Sequence, residues 1–486
     1  MRNIVSVRNF VQATRDSGYK GLSYAVAEVI DNSLDASAST VHVDLRTDGD
    51  NGGLVVVRDN GRGMSRDELQ KALAFGWSSR FNGRDSMGRY GMGLPNSAFS
   101  QSRKVEVYSW QQRGVIYKVY LDLDEIVDGE VESIPGVRRV TPDSVPSKVN
   151  TKSGTVVVWS KCDRADFPIR EGMVEHLRRI LGRVYRHHLW TEKVILINGA
   201  PLRPVDPLML RECPIEPAAS QYGEKLVFNV GRETTARKIE HSPIEVCFSC
   251  LPIKSWHGLS NREKKDIGIT RGGGVSVVRA NREIDIGWHF MGTKRRENYD
   301  DWWRCEIKFE PDLDELFGIT HTKQQIHPKG ILESILTPDL SSIARTLNFK
   351  VRQQHNEIRR STSVAIRTAV AADRFFPSLG RKHRRGRESY SIENAALDDE
   401  SFYLPKRSGR STTLVLNTNH GFFSRCYQPL KQAKDGIGRN AATALELILL
   451  ALSRTELSHD KMGRRLLTQA RKQCGNILEA FLREYR

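Results

Sequence analysis

The order of apolar and polar residues predicts an α/β domain in roughly the first 160 residues. Ser65 and Glu68 have the spacing of a capping box, which predicts that a helix begins there and continues to Phe75. A further helix is expected at residues 24–36, and strands are expected at 40–46, 54–58, 104–109, 115–121 and 155–159. Helices and strands that alternate in this way are typical of a layered α/β domain.

Residues 161–330 are expected to form a second α/β unit. Apolar residues at helical spacing indicate a helix at residues 173–188. Short apolar runs indicate strands at 193–198, 244–251, 274–279 and 304–309.

The rest of the chain is expected to be mainly helical. Residues 331–376 have a helical pattern, whereas residues 377–411 are basic and contain Gly, Ser and Pro, which predicts a linker or an exposed loop. Residues 412–486 are expected to form a small C-terminal domain, with one strand at 414–417 and two helices. The more apolar of these helices is expected at 441–453.

The length of the chain predicts about three domains, and its cysteines indicate the redox state of its compartment. The chain has 486 residues, and its seven cysteines are scattered, which argues against a disulfide framework and favours a reducing environment. Cys247 and Cys250 have the spacing of half a zinc site, but no second pair follows, so two buried cysteines are the simpler interpretation. No apolar run approaches about 18 residues and the N-terminus has no signal pattern, so we expect a cytoplasmic protein without membrane contact.

The charge balance bears on the choice of partner. The formal net charge is +17, and a surplus of this size favours polyanions such as nucleic acid. Solubility, or an acidic protein partner, explains the same surplus. Charge alone therefore leaves these alternatives open.

The first candidate for chemistry lies in the helix expected at residues 24–36. Glu28 and Asn32 are four residues apart and therefore share one helical face, with Asp31 and Asp35 beside it. Glu28 is suited to orient or deprotonate a water molecule, and Asn32 is suited to give an oxygen ligand to Mg²⁺. An acidic helix face in contact with solvent explains the same pattern.

The second candidate is the turn after the strand expected at residues 54–58. Asp59 ends this strand, and Gly61 and Gly63 permit a tight turn whose backbone can approach a ligand closely. A carboxylate at this place can accept a hydrogen bond from the exocyclic amine of adenine. An ordinary connection between a strand and a helix has the same residue types.

The third candidate is the glycine-rich sequence GRYGMGLPNSA at residues 88–98. Its glycines leave backbone N–H groups unobstructed, and a helix is expected from Leu94 with Pro95 in its first turn. Phosphates bind at such helix N-termini because the N–H groups there are unpaired and the helix dipole is positive. The glycine spacing differs from that of a dinucleotide-binding fingerprint, and the chain has no Walker A sequence.

The order of these three segments, followed by Thr155 at the start of a strand, closely resembles the GHKL superfamily of gyrase, heat-shock chaperone, histidine kinase and MutL proteins. The resemblance implies the GHKL (Bergerat) ATP-binding α/β sandwich, followed by a transducer-like α/β domain and a mainly helical C-terminal region. It implies ATP and Mg²⁺ as ligands and Glu28 as the group that activates water. The nucleotide contacts that it implies are Asn32, Asp59, Gly61, Gly63, Met64, Arg80, Gly88, Tyr90, Gly91, Met92, Gly93, Leu94 and Thr155.

The resemblance also favours the ATP-hydrolysing branches of this superfamily, because histidine kinases do not need a water-activating glutamate at the position of Glu28. Residues 275–285 resemble the transducer strand and turn of gyrase B, MutL and microrchidia (MORC) proteins. Residues 316–328 resemble the segment that brings a lysine, here Lys323, to the γ-phosphate. A lysine in contact with solvent is the alternative interpretation. The motifs are most similar to those of MORC ATPases.

These features lead to two functional hypotheses. The first is an ATP-gated homodimeric clamp on duplex DNA, in a bacterial defence or DNA-modification system, in which residues 1–20 cross to the second subunit. The basic stretch 381–387 would contact the DNA, although it also fits a solvated linker. The second is a chaperone-like or scaffold ATPase that clamps or regulates a protein partner such as a nuclease, through the apolar residues 444–453. Glu28 and the transducer-like segment disfavour a signalling kinase.

Overall fold

The computed structural model describes the chain except for residues 1–5, 17–18, 48–51, 77–91, 132, 165–170, 212, 234–238, 320–322, 362, 378, 380–387, 410, 434 and 486. The chain divides into two compact units. The first comprises Met1–Ser255 and Leu259–Val351, and the second comprises Arg352–Arg486 together with Trp256–Gly258.

An eight-stranded sheet forms the first layer of the first unit. Its strands are β1 (Thr40–Thr47), β2 (Gly53–Asp59), β3 (Ser102–Gln112), β4 (Val115–Asp122), β5 (Arg138–Val140), β6 (Gly154–Cys162), β7 (Val194–Ile197) and β8 (Ala200–Pro201). They lie in the order β5-β4-β3-β6-β2-β1-β7-β8. Neighbouring strands are antiparallel, except that β1 and β7 pair in parallel. The strands expected from the sequence in this region are confirmed, and the sheet also includes two strands beyond residue 160.

Helices cover one face of this sheet. They are α1 (Val7–Asp16), α2 (Leu22–Asp35), α3 (Arg66–Lys71), α4 (Gly93–Gln101), α5 (Leu123–Val127), α6 (Glu171–Val184) and α7 (Arg186–Leu189). Apolar side chains of α2, α4 and α6 pack with the strand valines and Trp159 in one core. A smaller apolar cluster around Trp110 lies on the other sheet face, beneath Val145 and Val149. The expected α/β sandwich is therefore confirmed.

Helix α3 differs from its expected length. The capping box of Ser65 and Glu68 is present, but the helix ends at Lys71 rather than Phe75. The chain turns instead, and Leu73 becomes fully buried. The helix therefore ends earlier than expected, and the turn that follows it buries Leu73.

The first unit also contains a five-stranded sheet. Its strands are β9 (Ser220–Glu233), β10 (Ile239–Cys250), β11 (Val275–Arg279), β12 (Arg282–Gly287) and β13 (Trp303–Phe309), in the order β12-β11-β13-β10-β9. The associated helices are α8 (Ile253–Trp256), α9 (Asn261–Asp266), α10 (Asp314–Phe317) and the long α11 (Gly330–Ser361). Leu332, Leu336 and Leu340 of α11 pack on the sheet at helical spacing. Strand β9 was not expected, because it lies at the sheet edge and most of its side chains are polar or partly exposed.

The second unit is a small α/β arrangement. A three-stranded sheet has the order β14 (Ser389–Ala395), β16 (Ser411–Asn417), β15 (Tyr403–Ser408). Its helices are α12 (Val364–Ala372), α13 (Gln428–Gln432), α14 (Gly436–Ser458) and α15 (Lys461–Glu484). Strands β14 and β15 lie within residues 377–411, where the sequence predicted only a linker or loop. That interpretation was wrong for these strands because, as edge strands, both carry many polar and partly exposed residues. The basic stretch 381–387 lies outside the described residues.

Two expectations from composition concern metal and membrane binding. Cys247 and Cys250 lie on β10 as free thiols. Within the described residues, no group of three or more His, Cys, Asp or Glu side chains is arranged to hold a metal ion. None of the helices in the described part of the chain is long and apolar enough to cross a membrane.

Candidate active site

Helix α2 brings two of the expected functional groups together. Ala25, Val26 and Val29 face the core and fix the rotation of the helix. Glu28 is only 2% exposed, and Asn32 lies one turn later and is half-buried. Within the described residues, the Asn32 side chain forms no hydrogen bond. Its carboxamide oxygen therefore keeps its capacity to accept a hydrogen bond or bind a cation.

Asp59 is held at the end of β2 by three donors. Its Oδ1 accepts hydrogen bonds from the backbone N–H of Gly61 at 2.8 Å and of Thr155 at 3.2 Å. Its Oδ2 accepts a hydrogen bond from Ser33 Oγ at 3.0 Å. Burial raises the pKa of Asp59, although these hydrogen bonds partly oppose the increase. The carboxyl group is thus fixed in orientation before any ligand arrives.

The glycine turn after Asp59 allows close contact between backbone segments. Gly63 has φ of +69°, and a Cβ atom there would lie 2.1 Å from the carbonyl oxygen of Trp110. A Cβ atom on Gly61 would lie 2.9 Å from Ala36. Both positions therefore require glycine for the turn to pack as it does.

A serine that the sequence analysis did not identify links this turn to Thr155. Ser109 Oγ accepts a hydrogen bond from the backbone N–H of Met64 at 2.8 Å and lies 3.0 Å from Thr155 Oγ1. Ser33, which reaches Asp59, was also missed. The available signal was weak: each is a single small polar residue within an apolar helix or strand.

The glycine-rich segment is described only from Met92 onward. Arg80, Gly88, Tyr90 and Gly91 lie outside the described residues, so their expected roles remain predictions. Helix α4 begins at Gly93, with Leu94 and Pro95 in its first turn. A Cβ atom on Gly93 would lie 2.1 Å from Glu28 Oε1. The N-terminus of α4 therefore lies directly against the Glu28 carboxylate.

Lys323 reaches this carboxylate from the part of the chain that follows the five-stranded sheet. Its Nζ lies 3.1 and 3.2 Å from the two oxygens of Glu28, and 3.1 Å from Asp31 Oδ2. The lysine is 5% exposed, and its backbone has φ of +51°, a conformation that residues other than glycine rarely adopt. The structure thus brings together the two residues for which the sequence predicted catalytic roles, although they are 295 positions apart.

Arg282 completes a buried group of charges around Asp31. Its Nε lies 2.9 Å from the Asp31 carboxylate, and its Nη1 donates a hydrogen bond to the carbonyl oxygen of Lys323 at 3.0 Å. The hydroxyl of Tyr185 donates to Asp31 Oδ1 at 2.7 Å. Asp31, Arg282 and Tyr185 were not assigned roles from the sequence, because the segments that carry them are distant along the chain.

The two carboxylates of α2 have opposite pKa shifts. Burial raises the pKa of Glu28, and Lys323 only partly opposes this. Burial would also raise the pKa of Asp31, but Arg282 and then Lys323 outweigh it, so this pKa lies below its ordinary value. Asp31 is therefore held as the anion, whereas Glu28 binds a proton more readily than a free glutamate does. A carboxylate with a raised pKa is suited to accept a proton during catalysis.

The segment before α2 is attached to the lysine turn. The backbone N–H of Lys20 donates a hydrogen bond to Gln324 Oε1 at 2.8 Å, and Lys20 Nζ donates to the Gln324 carbonyl oxygen at 2.8 Å. Tyr19 is buried beside them, and its pKa is raised by burial and by Glu28. The turn that carries Lys323 thus contacts both the segment before α2 and the helix itself.

Comparison with known proteins identifies this arrangement. Residues 19–155 match the family model described as "Histidine kinase-, DNA gyrase B-, and HSP90-like ATPase". "ATPase morc-1" of Caenorhabditis elegans is 37% identical over 97 residues, which are 20% of this chain and 11% of that protein. "DNA mismatch repair protein MutL" of Proteus mirabilis is 44% identical over 64 residues, 13% of this chain and 9% of that protein. The protein of the same name from Chlamydia caviae is 30% identical over 196 residues, 36% of this chain and 32% of that protein.

These similarities cover only part of each protein, and at most 32% of the length of these three relatives. The matched range nevertheless includes Glu28, Asn32, Asp59 and the whole glycine-rich segment, and it ends at Thr155. Residues 19–155 therefore form a GHKL ATPase domain, and this domain is similar to parts of MORC and MutL proteins.

Proposed function

We propose that this protein binds and hydrolyses ATP, and that Glu28 activates the attacking water molecule while Lys323 contacts the γ-phosphate. The observation that carries the proposal is the contact of Lys323 Nζ with both oxygens of Glu28 inside a buried site. The buried ammonium group of Lys323 can stabilise charge on the phosphate, and the adjacent carboxylate of Glu28 can accept a proton from the attacking water. Asp59, fixed by three hydrogen bonds, provides the group for adenine.

The residues around Glu28 also fit Mg²⁺. The Asn32 carboxamide is half-buried one helical turn from Glu28, and its oxygen is a ligand type that Mg²⁺ prefers. Asn32 would hold the ion together with phosphate oxygens. When bound, Mg²⁺ neutralises part of the phosphate charge and so favours transfer to water.

We further propose that ATP gates a homodimeric clamp. Support comes from the hydrogen bonds that attach Lys20 to Gln324, because they connect the N-terminal segment to the residue next to Lys323. If Lys323 moves to bind the γ-phosphate, the attached N-terminal segment would therefore move or become ordered with it. Ordering of a segment by a γ-phosphate and its release after hydrolysis is a common switching mechanism.

Duplex DNA is the partner that the charge distribution favours. Residues 352–486 contain 25 Lys and Arg residues against 13 Asp and Glu residues, so most of the surplus of +17 lies in this part. In the second unit, four basic residues and one acidic residue line an open groove, together with three other polar residues: Lys461, Arg464, Arg465, Lys472, Asp460, His459, Thr468 and Gln469. Contacts to phosphates by such groups give affinity without sequence preference. A role in bacterial defence or DNA modification is proposed on the earlier resemblance alone.

The test is an ATPase assay at low and high salt, with and without duplex DNA. Glu28→Gln is expected to keep ATP binding and to reduce turnover by about 100-fold or more, since a general base contributes about 10²–10⁴-fold. Glu175→Gln, which changes an exposed glutamate of α6, serves as the matched control and should retain full activity. Full turnover in Glu28→Gln would refute the proposal.

A protein partner is the second candidate, and exposed apolar side chains in the second unit favour it. Ile448 and Leu452 of α14 are 57% and 46% exposed. Exposed apolar surface on helices is common at protein interfaces. Glu28-dependent hydrolysis that is indifferent to DNA at every salt concentration would favour a chaperone-like or scaffold role, including control of a nuclease.

A further inference from the structure

We propose that Arg282 is a positioning residue that allows Lys323 to leave α2 for the γ-phosphate of ATP. This inference rests on the proposed function of Lys323. Arg282 is 2% exposed. It contacts the Asp31 carboxylate, which Lys323 Nζ also contacts, and it donates a hydrogen bond to the backbone carbonyl oxygen of Lys323. It does so at the start of β12, immediately after a two-residue turn in which Ala280 and Asn281 both have positive φ.

The charges in the buried site balance. Glu28 and Asp31 contribute two negative groups to a buried site, and Lys323 and Arg282 contribute two positive groups. An unpaired buried charge is strongly unfavourable, whereas a paired one is tolerated. Because Arg282 remains paired with Asp31, Lys323 can move to a phosphate without leaving Asp31 alone.

Arg282 and Lys323 share the Asp31 carboxylate. Asp31 is fully buried, and Lys323 Nζ lies 3.1 Å from its Oδ2. Without Arg282, Asp31 would depend on Lys323 as its only cation among the described contacts. The lysine would then be retained on α2, and its interaction with ATP would weaken. By pairing with Asp31, Arg282 therefore weakens the electrostatic attraction of Asp31 for Lys323.

Arg282 also fixes the backbone of Lys323. The hydrogen bond from Arg282 Nη1 to the Lys323 carbonyl oxygen holds a residue whose φ of +51° is unfavourable for a lysine. The guanidinium group is planar and presents several donors in fixed geometry, so it can hold Asp31 and this carbonyl together. The side chain of Lys323 is thereby free to exchange partners while its backbone stays in place.

Direct measurement of nucleotide discrimination tests this role. The dissociation constants of ATP and ADP and the rate of hydrolysis are compared for wild type, Lys323→Met, Arg282→Gln and the double variant Asp31→Asn/Arg282→Gln. Arg282→Gln is expected to lose about tenfold in its preference for ATP over ADP and about tenfold in kcat, which corresponds to the loss of one good interaction with the phosphate. ADP affinity should change by less than about threefold.

The double variant separates positioning from support of the fold. It removes Asp31 as a competitor and restores neutrality, so it should recover most of the ATP preference that Arg282→Gln loses. If it recovers thermal stability but not ATP preference, the role of Arg282 is structural and the inference is overturned. Arg282→Lys, which keeps the charge but not the fixed donor geometry, should be intermediate and remains measurable if Arg282→Gln is too unstable to purify.

Failure of the proposed function is visible without any Arg282 variant. If wild type and Lys323→Met prefer ATP over ADP equally, Lys323 does not contact the γ-phosphate, and both proposals are overturned. If Lys323→Met loses the preference but Arg282→Gln retains it in full, only the role of Arg282 is overturned.

Discussion

At the scale of single residues, the site separates three buried carboxyl groups by their surroundings. The pKa of Asp59 is raised by burial, the pKa of Glu28 is raised by burial, and the pKa of Asp31 is lowered because Arg282 and Lys323 outweigh its burial. Asp59 lies near hydrogen-bond donors, Glu28 near the ammonium group of Lys323, and Asp31 near two cations. Three environments thus give the same chemical group different pKa values, as the proposed roles of Asp59 in adenine recognition and of Glu28 in proton acceptance require.

Asp59→Asn is expected to weaken ATP binding by about 100-fold or more without loss of stability at neutral pH. The asparagine oxygen can still accept the N–H groups of Gly61 and Thr155, and Ser33 Oγ can donate to the Val29 carbonyl oxygen, 3.1 Å away, while it accepts the new amide. Loss of a well-oriented buried acceptor for adenine should nevertheless remove recognition. Isothermal titration with ATP and thermal melting measure the two effects, and Asp128→Asn is an exposed control.

The pH dependence of this variant has a definite sign. Because the folded-state pKa of Asp59 lies above its unfolded value, ionisation of Asp59 disfavours the folded state, and this penalty grows as pH rises through the folded-state pKa. Below the unfolded pKa, near about 4, the penalty is absent. The stability of Asp59→Asn relative to wild type should therefore increase from pH 4 to pH 8. A relative stability that falls over this range would contradict the assigned environment.

Gly93→Ala is expected to reduce hydrolysis by about tenfold or more, because its Cβ would lie 2.1 Å from Glu28 Oε1 and must displace that carboxylate. Gly136→Ala is the matched control, since nothing lies within 4 Å of a Cβ atom at that position. Steady-state turnover at saturating ATP compares the two variants. Equal turnover would show that Glu28 tolerates displacement.

At the scale of helices and strands, the attachment of Lys20 to Gln324 links the segment before α2 to the lysine turn. Gln324→Ala removes the acceptor of the Lys20 N–H, whereas Gln325→Ala changes an exposed neighbour. Hydrogen exchange of peptides around residue 20 should accelerate by about tenfold in Gln324→Ala and stay unchanged in Gln325→Ala. Unchanged exchange in both variants would mean that the Gln324 side chain does not hold this segment.

Most of the helices and strands could be predicted from the sequence where one face is strongly apolar. Helix α2 and strands β1 and β2 were expected within two residues of their observed bounds, because buried valines and alanines repeat at helical or strand spacing. Strands β9, β14 and β15 were missed because edge strands with polar residues lack that signal. The charged group around Asp31 could not be expected, since it depends on segments about 250 residues apart meeting in three dimensions.

At the scale of the whole chain, the concentration of basic residues in residues 352–486 leads to a prediction about DNA. Lys461→Glu/Arg465→Glu changes two exposed residues that line the groove in the second unit. DNA affinity should fall, and the slope of log affinity against log salt should become shallower by about two, since each phosphate contact contributes about 0.9. Arg113→Glu/Lys152→Glu changes two exposed basic residues of the first unit and should affect the slope less. Equal effects of both pairs would argue against the second unit as the DNA-binding part.

The contact of Lys323 with Glu28 has a consequence for how the protein responds to ATP concentration. Under the proposed function, Lys323 Nζ must exchange the Glu28 carboxylate for the γ-phosphate, so this carboxylate is an internal competitor for the same cation. The measured dissociation constant then equals the intrinsic constant divided by the fraction of molecules in which the lysine is available. A protein built in this way responds at a higher nucleotide concentration than its contacts alone would dictate, and any partner that frees the lysine lowers that threshold.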